Sequence, residues 1–184
     1  MVIDHDEVKL FPYNPKWKAD FEKAKDSLLL LLSSNGLHPQ IIHIGSTSIV
    51  DIPAKPIVDI LVLLPSEEEA EETWFKLMQN GFAFLGDGGR VGRYFLSDDT
   101  GEFSRYIHVT TEDNQVAKDQ LRFQKLLQIS TDIRLDYIKV KQQAAELYPD
   151  DRIMYRTMKS SFIDGVLRAY EIGMEQSSLN ASQQ

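Results

Sequence analysis

Gly45-Ser46-Thr47-Ser48 follows directly on an apolar run, Ile41 to Ile44, and Asp59 stands inside a second one, Ile57 to Leu64. Glycine lets a ligand approach the backbone closely. Amides that open a helical turn point at such a ligand and favour an anion, and the hydroxyls of Ser46, Thr47 and Ser48 add donors. The segment therefore has the makings of a phosphate-holding loop, although Gly-Ser-Thr-Ser also describes many plain turns. An unpartnered carboxylate in an apolar strand is costly, so Asp59 calls for a charged partner, a metal or a strand-end position beside a cleft. Twelve residues separate Ser46 from Asp59. A loop, a short turn and a strand would then let Mg²⁺ bridge Asp59 and phosphate oxygens, since Mg²⁺ is normally held by one or two carboxylates plus phosphates and water. Lys55 is close enough in sequence to supply positive charge to the same anion.

The elements that must position these residues follow from periodicity. Val8–Phe11 is a strand candidate. Asn14 and Pro15 read as the cap and first residue of a helix, with Trp17, Phe21, Ala24, Leu28 and Leu31 at helical spacing. Ile41–Ile44 and Pro56–Leu64 are strands, the second apolar on both faces as in a covered sheet. Ser66 and Glu69 have capping-box spacing for a further helix, with Ala70, Trp74, Leu77 and Met78 as its stripe and Gly81 as its stop. Phe82–Leu85, Arg93–Leu96 and Arg105–Thr110 read as strands, and Gly86 to Arg90 as a hairpin connection. The last third is helical: Gln115–Gln128, then a helix capped by Thr131 with Ile133, Tyr137, Val140, Ala144 and Leu147 along one face. A third helix runs from Asp150 to about Ile172 with Met154, Met158, Phe162 and Val166 inward. Mixed strands and helices followed by helices alone indicate an α+β sheet domain with a C-terminal helical subregion. The expected organisation is a single domain over 1–174, with a sheet core at about 8–112 and a helical part at about 113–174. A polar, disordered tail is expected over 175–184.

The chain has 184 residues, no cysteine and a formal net charge of −8. Its length suits one domain with a real core. Without cysteine there is no disulfide framework, thiolate metal site or cysteine nucleophile. Non-specific nucleic-acid binding needs a basic face, so an acidic chain argues against a nucleic-acid partner. Met1 to Leu10 lacks the apolar core of a signal peptide, and the longest aliphatic run, Leu28 to Leu32, is far short of the ~20 residues of a membrane span. These features lead to the expectation of a cytoplasmic protein with no membrane association. The protein partner and oligomeric state stay open.

His43-Ile44-Gly45-Ser46-Thr47-Ser48, then Pro53-Ala54-Lys55-Pro56-Ile57-Val58-Asp59-Ile60, resembles the nucleotidyltransferase superfamily and more specifically the GrpB family. The likeness extends to Tyr13-Asn14-Pro15-Lys16-Trp17, to Arg93-Tyr94-Phe95, to Ile107-His108-Val109, to Tyr137 through Lys141 and to Tyr155 through Lys159. It spans roughly Val8 to Ala169. The resemblance implies a nucleotidyltransferase-like mixed β-sheet flanked by helices. It also implies a nucleotide or phosphorylated small molecule as ligand, with Mg²⁺ as cofactor. Asp59 would be the metal ligand and catalytic carboxylate, and His108 a further catalytic candidate. Gly45, Ser46, Thr47, Ser48, Lys55, Arg93 and Arg105 would serve the phosphates. A GrpB domain is fused to dephospho-CoA kinase in some bacteria, which points towards coenzyme A or nucleotide metabolism.

The pattern is depleted in one respect. Active members of the superfamily carry a second carboxylate two residues after the first, a position on the same strand face; here it is Leu61. Two-metal phosphoryl chemistry needs several acidic ligands, and a second metal would need an outside acid such as Asp51, Asp98, Asp99 or Glu102, none of which has motif support. Whether the chain is a transferase or a binding module is therefore left open. Alternation places Tyr106, His108 and Thr110 on one strand face and Arg105 on the other. The expectation that Arg93 and His108 line the Asp59 cleft fails if either lies on the far face of the sheet. The strand histidines also have structural readings: His43 as a strand-end residue, His108 as a hydrogen-bonded core residue. The family's Pro-Gly is replaced by Val50-Asp51.

Overall fold

Asn14 Oδ1 accepts the Lys16 amide at 3.0 Å, with Pro15 already helical at φ −61°, so α1 (Lys16–Ser33) begins as its cap residues dictate. The computed structural model describes residues 8–181, with side-chain surroundings for 8–176. Contacts group residues 10–121 into one compact unit and 8–9 with 122–181 into a second.

In the first unit, α1 leads to β1 (Gln40–Ile44), a 3-10 turn (Ser46–Ser48), β2 (Ile57–Leu64) and α2 (Glu67–Gln79). The strands β3 (Ala83–Phe84), β4 (Arg93–Asp98) and β5 (Ser104–Thr111) follow. The mixed sheet has the order β1-β2-β5-β4-β3, and only the β2–β5 pair is parallel. Ser66 caps α2 by accepting the Glu69 amide at 3.2 Å, and the acids Glu67, Glu68 and Glu69 fill its first turn, where the helix dipole favours them. One face of the sheet carries Val58, Ile60, Val62, Leu64, Leu96, Ile107 and Val109, which pack with Trp17, Phe21, Leu28, Ala70 and Leu77 of the two helices. Every one of these side chains is buried, and this layer is the main core. On the opposite face Ile44, Leu61 and Leu63 pack with Ala117 of α3 (Gln115–Ile129). Because β2 has helices on both faces, it reads as a continuous apolar run apart from Asp59.

The second unit holds the rest of α3, α4 (Thr131–Leu147) and α5 (Arg152–Ala181). Phe123, Tyr137 and Phe162 form an aromatic cluster, with centroids 5.1 Å apart for Phe123–Tyr137 and 5.8 Å for Tyr137–Phe162. No helix among the described residues is long and apolar enough to cross a membrane.

Several local expectations change. Val8–Phe11 is not a strand; Phe11 makes a single antiparallel bridge to Ala54. The cap of α4 is Ser130, whose hydroxyl accepts the Ile133 amide at 3.3 Å, with Thr131 already inside the helix. The inward face of α5 is set by Tyr155 and Leu167, while Met154 is 38% exposed. Helix α5 also continues past Ile172 to Ala181, into the segment expected to be a disordered tail; residues 182–184 lie outside the described residues.

Candidate functional site

Asp59 lies at the third position of β2, directly opposite Ile44, the last residue of β1. The chain turns away at Gly45, with φ 73° and ψ −174°, a conformation essentially reserved for glycine. A Cβ at Gly45 would stand 2.6 Å from Asp59 Oδ2, so no larger residue fits beside this carboxylate. Gly45 is thereby explained twice, by backbone conformation and by the close approach of Asp59.

Asp59, Leu61, Tyr106, His108, Thr110, Arg93 and Phe95 share one face of the sheet, because Asp59 pairs with Tyr106, Leu61 with His108, and Phe95 with His108. The expectation that Arg93 and His108 stand on the Asp59 side holds. His108 Nε2 is 3.2 Å from Asp59 Oδ1, and Arg93 Nη1 is 3.2 Å from His108 Nδ1. A guanidinium has donors only. His108 Nδ1 must therefore accept, which leaves the proton on Nε2, where it is donated to Asp59. Burial is the largest influence on His108 and pushes its pKa down; Asp59 pulls it up, while Arg93 and Arg90 oppose that. The imidazole is thus neutral, held in one tautomer, with both ring nitrogens engaged. In this arrangement His108, which the sequence offered as a catalytic candidate, has both nitrogens engaged and orients the Asp59 carboxylate.

Arg93 is fixed in turn. Its Nε and Nη2 donate to the Asp87 carbonyl at 3.1 and 2.9 Å, and the guanidinium lies 5.1 Å from the Phe95 ring centroid. Gly88 takes φ +60°, and a Cβ there would collide with the guanidinium. The loop of glycines after β3, expected to be a plain hairpin connection, is also the clamp on Arg93. Its sequence signal was the pairing of that loop with the arginine opening the next strand.

The 3-10 turn divides the expected phosphate donors. Thr47 is 2% exposed, and its hydroxyl donates to the Ile57 carbonyl at 3.2 Å while facing His43 Nε2 at 3.1 Å. It is a buried brace between β1 and β2 and not a phosphate donor, which corrects the expectation. The Ser48 hydroxyl donates to the Gly45 carbonyl at 2.6 Å and closes the turn on itself. Gly45 is exposed and Ser46 and Lys55 are half-buried, so these three remain as candidates around the Asp59 corner. His43 belongs to the other face, stacked on Phe21 with centroids 4.7 Å apart. Burial lowers its pKa from 6.5 to about 4, outweighing the opposing pull of Asp59 and Asp20.

Arg105 is a second correction. It stands on the face covered by α1, where Nε and Nη2 form a two-pronged pair with Asp20 at 2.7 and 2.6 Å, and Nη1 reaches Asp98 at 2.8 Å. Those bonds hold the guanidinium well above its ordinary pKa despite burial. Arg105 locks α1 to the sheet and is not a phosphate ligand at the Asp59 corner. Asp20 was not anticipated; its signal was an acid set in the apolar stripe between Trp17 and Phe21.

Leu61 occupies the position of the missing second carboxylate and is fully buried, packed with Ile44, Leu63 and Ala117. Asp98 is taken by Arg105 and Thr100, and Glu102 pairs with Lys16 at 2.8 Å. Asp51 lies in an exposed turn. Among the described residues no group of three or more His, Cys, Asp or Glu is arranged to hold a metal ion. The donor set does not fit a two-metal centre. It leaves Asp59, with a side chain 30% exposed, as one carboxylate able to share a single Mg²⁺ with a ligand's phosphates.

The sheet order and the Gly45–Asp59 corner define a nucleotidyltransferase-like fold, and the solved structures agree. A cytoplasmic RNA terminal U-transferase superposes with a TM-score of 0.51 at 19% identity, over 73% of this chain and 42% of that one. At this identity the likeness concerns the fold alone. The conserved protein GrpB from Enterococcus faecalis superposes with a TM-score of 0.73 at 27% identity, over 88% of this chain and 99% of that one. The GrpB protein family matches residues 7–169, and the chain belongs to that family. The UPF0157 protein YqkA of Bacillus subtilis (strain 168) is 30% identical over 85% of this chain, which spans only 45% of YqkA. A dephospho-CoA kinase of Mycolicibacterium paratuberculosis is 25% identical over 89% of this chain, again only 46% of that protein.

Proposed function

We propose that the Asp59 corner binds a nucleotide or another phosphorylated small molecule, and that it does so without two-metal transfer chemistry. One observation carries this reading. Asp59 is kept partly exposed beside Gly45 by a neutral His108, while the place of the second carboxylate is filled by buried Leu61. Phosphoryl transfer rests on positioning and on neutralising developing charge with metal ions. A single carboxylate suits the binding of a phosphate-bound Mg²⁺ better than the clamping of two ions on attacking and leaving oxygens. Asp59 would hold the ion; Ser46, Lys55 and the turn would serve the phosphates. The ion would supply charge neutralisation. His108 and Arg93 keep the carboxylate oriented.

The relative called dephospho-CoA kinase is about twice the length matched here, so its activity is a property of the whole protein. It nevertheless makes coenzyme A and dephospho-CoA natural members of the ligand panel. The test is the melting temperature of the purified chain with ATP, GTP, CTP, UTP, coenzyme A and dephospho-CoA, each with and without Mg²⁺, beside Asp59→Ala. A ligand that binds the native state raises the midpoint by mass action. The expected result is a Mg²⁺-dependent rise that Asp59→Ala removes. A rise unchanged in Asp59→Ala would place binding elsewhere, and sustained release of pyrophosphate from a nucleoside triphosphate would overturn the non-catalytic reading.

A further inference from the structure

A cavity of about 540 Å³ opens where the N-terminal strap passes the starts of β2 and β5, and the Asp59 corner does not line it. Its walls include Phe11, Tyr13, Trp17, Phe103 and Pro56, with Glu102 as the one charged residue of the lining. Tyr13 and Trp17 meet edge to face with centroids 5.7 Å apart. These two residues belong to the Tyr-x-Pro-x-Trp segment, which the reading of the phosphate corner left without a task. The strap is pinned by a pair of hydrogen bonds between Phe11 and Ala54, at 2.8 and 2.9 Å. Trp17 is 1% exposed, and its indole N–H has no acceptor among the described residues. Phe11 remains 38% exposed at the rim.

We propose that this cavity is a second ligand site, for a small organic cation: an ammonium or guanidinium group carried on an apolar or aromatic body. The volume is that of an ordinary small-molecule pocket. Aromatic faces attract cations through their quadrupoles, and substituted ammonium groups are the chemistry that clustered aromatic rings recognise. Glu102 supplies the counter-charge. Its present partner, Lys16, forms an exposed pair, with side chains 64% and 59% accessible. Exposed pairs of this kind contribute little, so a ligand cation can take the carboxylate from Lys16 at small cost. The net charge of −8 draws cations towards the chain. The site thus selects the opposite charge from the phosphate corner.

The test is a calorimetric titration of the full chain with benzyltrimethylammonium chloride, and in parallel with sodium benzylsulfonate, which has a similar apolar body and the opposite charge. The expected result is saturable binding of the cation and none of the sulfonate. Glu102→Gln, at an exposed position, should weaken the cation about fivefold without changing the melting temperature of the free chain. Asp59→Ala should leave cation binding intact, which separates the fate of this site from that of the phosphate corner. Cation binding that survives Glu102→Gln unchanged, equal binding of the sulfonate, or no heat with the cation at millimolar concentration would each overturn the proposal.

Discussion

Two aspartates on opposite sides of the same sheet meet different fates. Asp20, on the face covered by α1, is gripped by both prongs of Arg105, and its side chain is 7% exposed. Asp59, on the other face, is held by a single bond from a neutral histidine, and its side chain stays 30% exposed. The first carboxylate is closed off by a guanidinium; the second is oriented by a neutral donor and left accessible. The difference lies in the partner. Arg105 brings a full charge and two bonds to Asp20, with a third to Asp98, whereas Arg93 bonds to the His108 ring that donates to Asp59.

The largest expected effect breaks the closed side. Arg105→Met leaves Asp20 and Asp98 as buried acids without their cation, and should cost about 3–5 kcal/mol in urea unfolding. The ligand-induced rise in melting temperature, measured against the variant's own baseline, should persist. Loss of ligand binding at retained fold would show that the two faces are not independent.

The histidines sharpen the contrast through pH. The folded pKa of His43 is lowered from 6.5 to about 4, so the unfolded chain binds more protons between those values. Stability contributed by the neutral ring is full above pH 6.5 and is lost as pH falls towards 4, with an upper bound of about 3 kcal/mol. His43→Gln keeps a polar group for Thr47 but does not titrate. Its unfolding free energy should fall less steeply than that of the wild type from pH 7 to 4.5; equal slopes would contradict the assignment.

Gly45→Ala attacks the open side. The φ of 73° and the collision with Asp59 Oδ2 should together cost about 1–3 kcal/mol and abolish the ligand-induced shift. The smallest effect is a gain. Asp51 sits at φ 69°, a conformation that favours glycine. Asp51→Gly should stabilise the chain by about 0.5 kcal/mol, since the left-handed strain it relieves slightly exceeds the backbone entropy lost.

Apart from Val8–Phe11, the sequence made the strands, α1, α2 and the nearness of the loop to Asp59 legible, because period-two and period-3.6 patterns and capping residues are local signals. Alternation along β5 also separated His108 from Arg105 correctly. What stayed hidden was set by partners distant in sequence. Arg105 looked available until α1 delivered Asp20 to it, and Thr47 looked like a ligand donor until β2 brought the Ile57 carbonyl to its hydroxyl. In α4 the apolar stripe suggested Leu147 inside, yet Leu147 is 64% exposed and Lys141 is 2% exposed, with its Nζ 5.5 Å from the Tyr137 ring. A lysine stem packed on aromatic carbon gives no hydrophobic signal.

The central claim is that one carboxylate serves one ion. Electron paramagnetic resonance counts Mn²⁺ directly, and should be applied to the chain with whichever of ATP, GTP, CTP or UTP shifts its melting temperature most. About one Mn²⁺ per chain, lost in Asp59→Ala, is the result predicted by a corner with Asp59 exposed and Leu61 buried. Two Mn²⁺ per chain, or one that survives Asp59→Ala, would contradict it.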